Sequence, residues 1–115
     1  MNFSETDEFT KNFKRLSKKY KSLQDDLLEF KKIVTELPLG SGKHSTILHS
    51  QEKVKIVKAR FFCKYLRGAS LRIVYAYIES STTIHFVEVY FKGEQMNENR
   101  ALINEFLCEL KNKQT

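Results

Sequence analysis

Between residues 53 and 94 the chain carries cations at alternate positions of segments built from Val, Ile, Tyr and Phe. Lys58 and Arg60 are followed by Phe62 and Lys64, a second segment holds Arg72, and a third holds Tyr90 and Lys92. A spacing of two puts side chains on one face of a β-strand. If the three segments lie side by side, Lys58, Arg60, Arg72, Tyr90 and Lys92 gather on a single surface. Lysine and arginine bind phosphate oxygens, and tyrosine and phenylalanine offer rings on which a base can stack, so that surface suits a single-stranded nucleic acid. Cations packed across adjacent strands repel one another unless something anionic covers them. Glu88 is the acid that falls among them. The plainer alternative is a solvated sheet face in which Glu88 pairs with Arg72 and long side-chain stems cover Val74 and Ala76.

Positioning these residues requires a sheet. The runs VKIVKARFFCKYL, LRIVYAYIE and IHFVEVYFKGE, separated by RGAS and SSTT, predict a three-stranded antiparallel meander. A turn centred on Ser81 sets Ile78 opposite Ile84, Arg72 opposite Tyr90 and Leu71 opposite Phe91, and the first hairpin pairs Arg60 with Arg72. Val57, Ala59, Phe61, Cys63, Leu71, Ile73, Tyr75, Tyr77, His85, Val87, Val89 and Phe91 then form the core face, because alternation fixes which side each residue takes.

The rest of the chain reads as support. Phe9, Phe13, Leu16 and Tyr20 recur at helical spacing from about Asp7, and Leu23, Leu27, Phe30, Val34 and Leu37 repeat the pattern, with Ser22 and Asp25 as its cap. Pro38, Gly40 and Gly42 end this helical hairpin in a loop that holds His44 and His49. GSGK at residues 40–43 lacks the spacing of a phosphate-binding loop and follows a helix, so it is set aside. Asn97 or Asn99 caps a last helix with Leu102, Ile103, Phe106, Leu107 and Leu110 on its apolar face, and residues 111–115 are expected to fray. Residues 1–4 suit a short edge strand. The expectation is one α+β domain over residues 1–115, with a helical hairpin, a β-meander and a C-terminal helix, the helices covering one sheet face.

Twenty Lys and Arg against fourteen Asp and Glu give a net charge of +6 and favour a polyanionic or acidic partner. Cys63 and Cys108 form no CxxC and no ligand pattern with the three histidines, so neither a structural metal nor a disulfide framework is expected. No apolar run is long enough to span a bilayer, and the start is polar and acidic instead of signal-like. These features fit a cytoplasmic protein.

The segments KARFF at residues 58–62, GASLRIVYAY at 68–77 and VEVYFKGE at 87–94 resemble the RelE/ParE superfamily of toxins from type II toxin–antitoxin systems, nearer to the RelE and HigB branches. The resemblance implies an endoribonuclease that cleaves messenger RNA on the ribosome without a metal or other cofactor, and a cognate antitoxin as partner. It implies catalytic roles for Arg60, Arg72, Tyr90 and Lys92, and substrate contacts from Lys58, Phe62 and Lys64. Two features depart from RelE. Gly93 stands where an arginine follows the last strand's lysine, and Asn97 and Asn99 precede a final helix that has no tyrosine. The alternatives are a ParE-like toxin that binds a protein target such as DNA gyrase, and a catalytically silent RNA-binding module.

Overall fold

A computed structural model describes residues 1–40 and 42–113. The described residues form five strands and three helices in the order β1 (Asn2–Glu5), α1 (Asp7–Lys19), α2 (Leu23–Glu36), β2 (Ser45–Ser50), β3 (Val54–Cys63), β4 (Gly68–Ile78), β5 (Thr83–Phe91) and α3 (Arg100–Lys113). The architecture is α+β. Its sheet is mixed, in the spatial order β1-β5-β4-β3-β2, with β1 parallel to β5 and the other neighbours antiparallel.

The expected meander is the centre of this sheet, and Asn2–Glu5 is the expected edge strand. β2 corrects the expectation, because residues 45–50 extend the sheet on its far side instead of forming a loop. The helices also differ from the expected placement. α1 and α2 cover one face, whereas α3 lies on the opposite face, so the sheet is sandwiched between them.

α1 forms where it does because Thr6 accepts a hydrogen bond from the Phe9 N–H at 3.0 Å, satisfying one of the free donors of the first turn. Its Phe9 and Leu16 join Leu23, Leu27, Phe30 and Val34 of α2 against Val57, Phe61, Leu71, Ile73, Tyr75 and Phe86 of the sheet. Rings dominate this core, with Phe9 and Phe86 stacked at 5.2 Å and Phe30 edge-on to Phe61 at 5.6 Å. Each such buried ring contributes about 1.5–3 kcal/mol of transfer free energy. Leu37, placed in the apolar stripe by periodicity, is instead 48% exposed beyond the end of α2.

A bulge decides which β5 side chains reach that core. Val74 pairs with Glu88, but Tyr75 pairs with Phe86, leaving Val87 without a partner opposite. The register expected from the turn therefore holds at Arg72–Tyr90 and Leu71–Phe91, and slips by one towards the turn, where Ile78 meets Thr83. Consequently Ile84 and Phe86 enter the core under α1 and α2, while Val87 joins Val54, Ile56, Val74 and Ala76 beneath Ile103 and Phe106 of α3. His85 goes with it, its ring 4.9 Å from that of Phe106. The expectation that His85 and Val87 share the core face of α1 and α2 is corrected by this one extra residue.

Ser22 precedes α2 as expected but makes no capping hydrogen bond. Its hydroxyl donates to Asp26 at 2.7 Å and accepts from the Tyr65 N–H at 2.9 Å, while the Lys64 N–H donates to the Asp26 carboxylate at 3.3 Å. α2 thereby holds the turn that joins β3 to β4. The C-terminal segment expected to fray from Lys111 is helical through Lys113, and Gln114 and Thr115 lie outside the described residues.

Candidate nucleic-acid interface

On the sheet face that carries α3, the helix covers only the apolar half. The other half is built from successive cross-strand rows. Arg60, Arg72 and Tyr90 stand in one row across β3, β4 and β5, and Lys58, Val74 and Glu88 in the next. Lys92 follows Tyr90 by two residues in the turn beyond β5, with its N–H bonded to the Ser70 carbonyl at 2.9 Å, so it stands next to the end of that row. Alternation thus brings together Lys58, Arg60, Arg72 and Tyr90.

Phe62 and Lys64 stand apart from this group. β3 loses its regular register between Phe61 and Cys63, and Lys64 lies in the turn beyond the strand. Together with Arg60 they border a groove of about 500 Å³ on the α2 side, whose apolar lining includes Ile33, Val34 and Leu37. β2 pairs with β3 only as far as Ala59, so residues 60–63 have β4 on one side and no strand on the other. Phe62 and Ile33 are 56% and 58% exposed along this groove.

The acids of the cationic face are differently employed than the sequence suggested. Glu88 does not pair with Arg72. It is buried, and its two oxygens accept from the Gln95 side-chain amide and the Asn99 N–H, each at 2.8 Å. Burial pushes its carboxyl above the usual range, against the pull of those two hydrogen bonds. Asn99 in turn caps α3 by accepting from the Ala101 N–H at 3.0 Å. Glu98, which the sequence did not single out, reaches Lys58 at 2.8 Å and Arg100 at 3.0 Å, and the hydrogen bond from Lys58 holds its carboxyl below the usual range.

Arg72 donates to the carbonyls of Ala69 and Leu71 at 2.6 and 3.0 Å, and no carboxylate among the described residues pairs with Arg60, Arg72 or Lys92. Two guanidinium-bearing residues are therefore cross-strand neighbours with no internal counter-ion. Tyr90 beside them is 4% exposed. Its hydroxyl is pushed up to about 12, first by burial and then by the charges of Glu98 and Glu88. At neutral pH it remains a phenol, able to donate a hydrogen bond.

Gly93 has a steric setting of its own, since a Cβ there would lie 2.5 Å from the ring of Phe91. Among the described residues no group of three or more His, Cys, Asp or Glu is placed to hold a metal ion, and no helix is long and apolar enough to cross a membrane. His44 contributes to the groove lining and not to the cationic rows.

No protein-family model matches this chain, and no curated protein is detectably similar to it in sequence. Among solved structures, it is similar to a chain of the archaeal RelE–RelB complex from Pyrococcus horikoshii OT3, with a TM-score of 0.61 and 17% identity, covering 80% of this chain and 94% of that one. The fold is RelE-like.

Proposed function

We propose that this protein is the toxin of a type II toxin–antitoxin pair and that it acts as a metal-independent, ribosome-dependent endoribonuclease on messenger RNA. The observation that carries the reading is the Arg60–Arg72–Tyr90 row, which holds two cations and no carboxylate partner on a RelE-like sheet. Such a row is a standing demand for an external polyanion.

In this reaction the ribose 2′-hydroxyl attacks the adjacent phosphorus, and the 5′-oxygen of the next nucleotide leaves. Negative charge grows on the phosphoryl oxygens, where Arg60 and Arg72 bind them in forked hydrogen bonds. Tyr90 is buried, so its part is to donate a hydrogen bond from its phenol at the edge of the row. Glu88 is withdrawn from the role of base, since both its oxygens are already engaged. Lys58 is engaged with Glu98, so Lys92, exposed and without a carboxylate partner among the described residues, is assigned to give its ammonium proton to the leaving 5′-oxygen, while the proton of the 2′-hydroxyl passes to solvent water.

The partner is an antitoxin whose extended, acidic and apolar segment adds a strand along residues 60–63 and fills the groove against Ile33 and Leu37. The net charge of +6 favours such a segment.

Induced expression with pulse labelling tests the reading. The wild type is expected to stop incorporation of amino acids before that of thymidine. Arg72→Ala is expected to lower message cleavage about a hundredfold or more while the protein stays folded. Early loss of thymidine incorporation instead would favour the ParE-like alternative, to which Gly93 and the absence of a tyrosine in α3 incline. RNA binding without arrest or cleavage would favour the silent module.

A further inference from the structure

The cationic face already holds one anion of its own. Glu98 belongs to the connection between β5 and α3, yet its side chain is only 8% exposed, because each oxygen meets a different cation: Oε1 the Lys58 ammonium at 2.8 Å, and Oε2 the Arg100 guanidinium at 3.0 Å. Lys58 comes from β3 and Arg100 from the first turn of α3, so the two donors converge from separate elements on one oxyanion. A carboxylate and a phosphodiester each present two oxygens to such a clamp. The clamp sits one row from Arg60 and Arg72 and close enough to Tyr90 for the Glu98 charge to act on its hydroxyl.

Nothing in this arrangement needs Glu98 for folding of the sheet. The residue arrives on an exposed connection, with Met96 84% exposed, and the anchoring of that connection to the sheet is done by its neighbours, through Gln95 and the Asn99 N–H on Glu88. Glu98 can therefore swing away while Asn99 keeps the start of α3 in place.

We infer that Lys58 and Arg100 form a binding site for a backbone phosphodiester of single-stranded RNA, and that Glu98 is its internal placeholder, seated in the free protein and displaced when the phosphate enters. The site extends the cationic face from the sheet onto α3. The inference rests on the proposed RNA-directed reading of that face. In the free protein Glu98 neutralises Lys58 and Arg100, so RNA must expel one anion to reach two donors.

Binding of a short fluorescent oligoribonucleotide, measured against salt concentration, tests it. Glu98→Gln is expected to bind severalfold more tightly than the wild type with the same log–log salt slope, because the same phosphates are neutralised in both complexes and only the cost of displacing Glu98 is removed. Adding Arg100→Ala or Lys58→Ala to Glu98→Gln is expected to abolish the tighter binding and, with that phosphate no longer neutralised, to make the slope shallower by about 0.7. If wild-type binding is lost in Arg72→Ala but Glu98→Gln matches or falls below the wild type, the placeholder is overturned and the RNA-directed face stands. If neither the wild type nor Glu98→Gln binds the oligonucleotide, both fall together. Far-ultraviolet circular dichroism of each variant separates lost binding from lost fold.

Discussion

Asp25 and Asp26 are adjacent acids in the first turn of α2, where both suit the helix dipole. Their surroundings differ. Asp26 is 3% exposed and bonded to Ser22 and to the Lys64 N–H, whereas Asp25 is exposed. Asp26→Ala leaves the part-buried Lys64 N–H and Ser22 hydroxyl without their acceptor and is expected to cost about 1–2 kcal/mol in chemical denaturation, against a few tenths for Asp25→Ala. Equal losses would mean that the turn between β3 and β4 is not held from α2. Glu88 makes a pH prediction. Its carboxyl is raised by burial, so the protonated form is the one the fold favours. Stability from this group is full below the ordinary carboxyl value of about 4.3 and declines as pH rises through the higher folded value. Relative to Glu88→Gln, the wild type should therefore lose stability across that window and then run parallel, while a constant difference would show that burial does not shift the group. The sequence could show that Glu88 lay among cations; it could not show that Gln95 and Asn99 claim its oxygens, since those contacts depend on how the connection before α3 folds back.

At the scale of elements, the meander was legible because Val, Ile, Tyr and Phe cluster in three runs, and Arg60–Arg72–Tyr90 was legible because that row lies on the regular side of the bulge. β2 was not. Its residues STILHS are mostly polar, Ile47 is 48% exposed at the sheet edge, and its register shifts between Ile47 and His49, so strict alternation is broken. The bulge at Val87 was hidden for a related reason: both parities of residues 84–89 offer apolar side chains, and pattern alone cannot show where the phase changes. Deleting Val87 tests its importance. Without the extra residue, either Ile84 and Phe86 turn out of the α1–α2 core or the whole pairing slips. Losing a packed Phe side chain alone costs about 3–5 kcal/mol, a large share of the roughly 5–15 kcal/mol that holds a domain together. The deletion variant is expected to show no cooperative thermal transition. A melt like that of the wild type would mean that the strand tolerates either phase.

At the scale of the molecule, the sheet separates two surfaces with different demands. One face, half covered by α3, carries Arg60 and Arg72 with no carboxylate partner among the described residues. The free edge of β3 and the groove beside α2 expose apolar residues that no other part of the described chain covers. This division was only partly legible: the order of elements and the net charge were in the sequence, but α3 could have packed on either face, and the choice depends on where β5 places Val87 and His85. The two surfaces meet at Arg60, which belongs to the cationic row and also borders the groove. On the proposed reading, a partner strand laid along residues 60–63 would block the protein by covering the end of the Arg60–Arg72–Tyr90 row. Ile33 lies on α2, outside the cationic row although in the groove that Arg60 borders, and is 58% exposed, so Ile33→Asp spares the fold while placing a charge in the apolar groove. If the proposed antitoxin docks in this groove, Ile33→Asp co-expressed with it is expected to arrest growth as the wild type does alone and to escape neutralisation, with affinity lowered by at least about 2 kcal/mol, or roughly thirtyfold. An antitoxin that restrains Ile33→Asp as fully as the wild type would place the docking surface elsewhere.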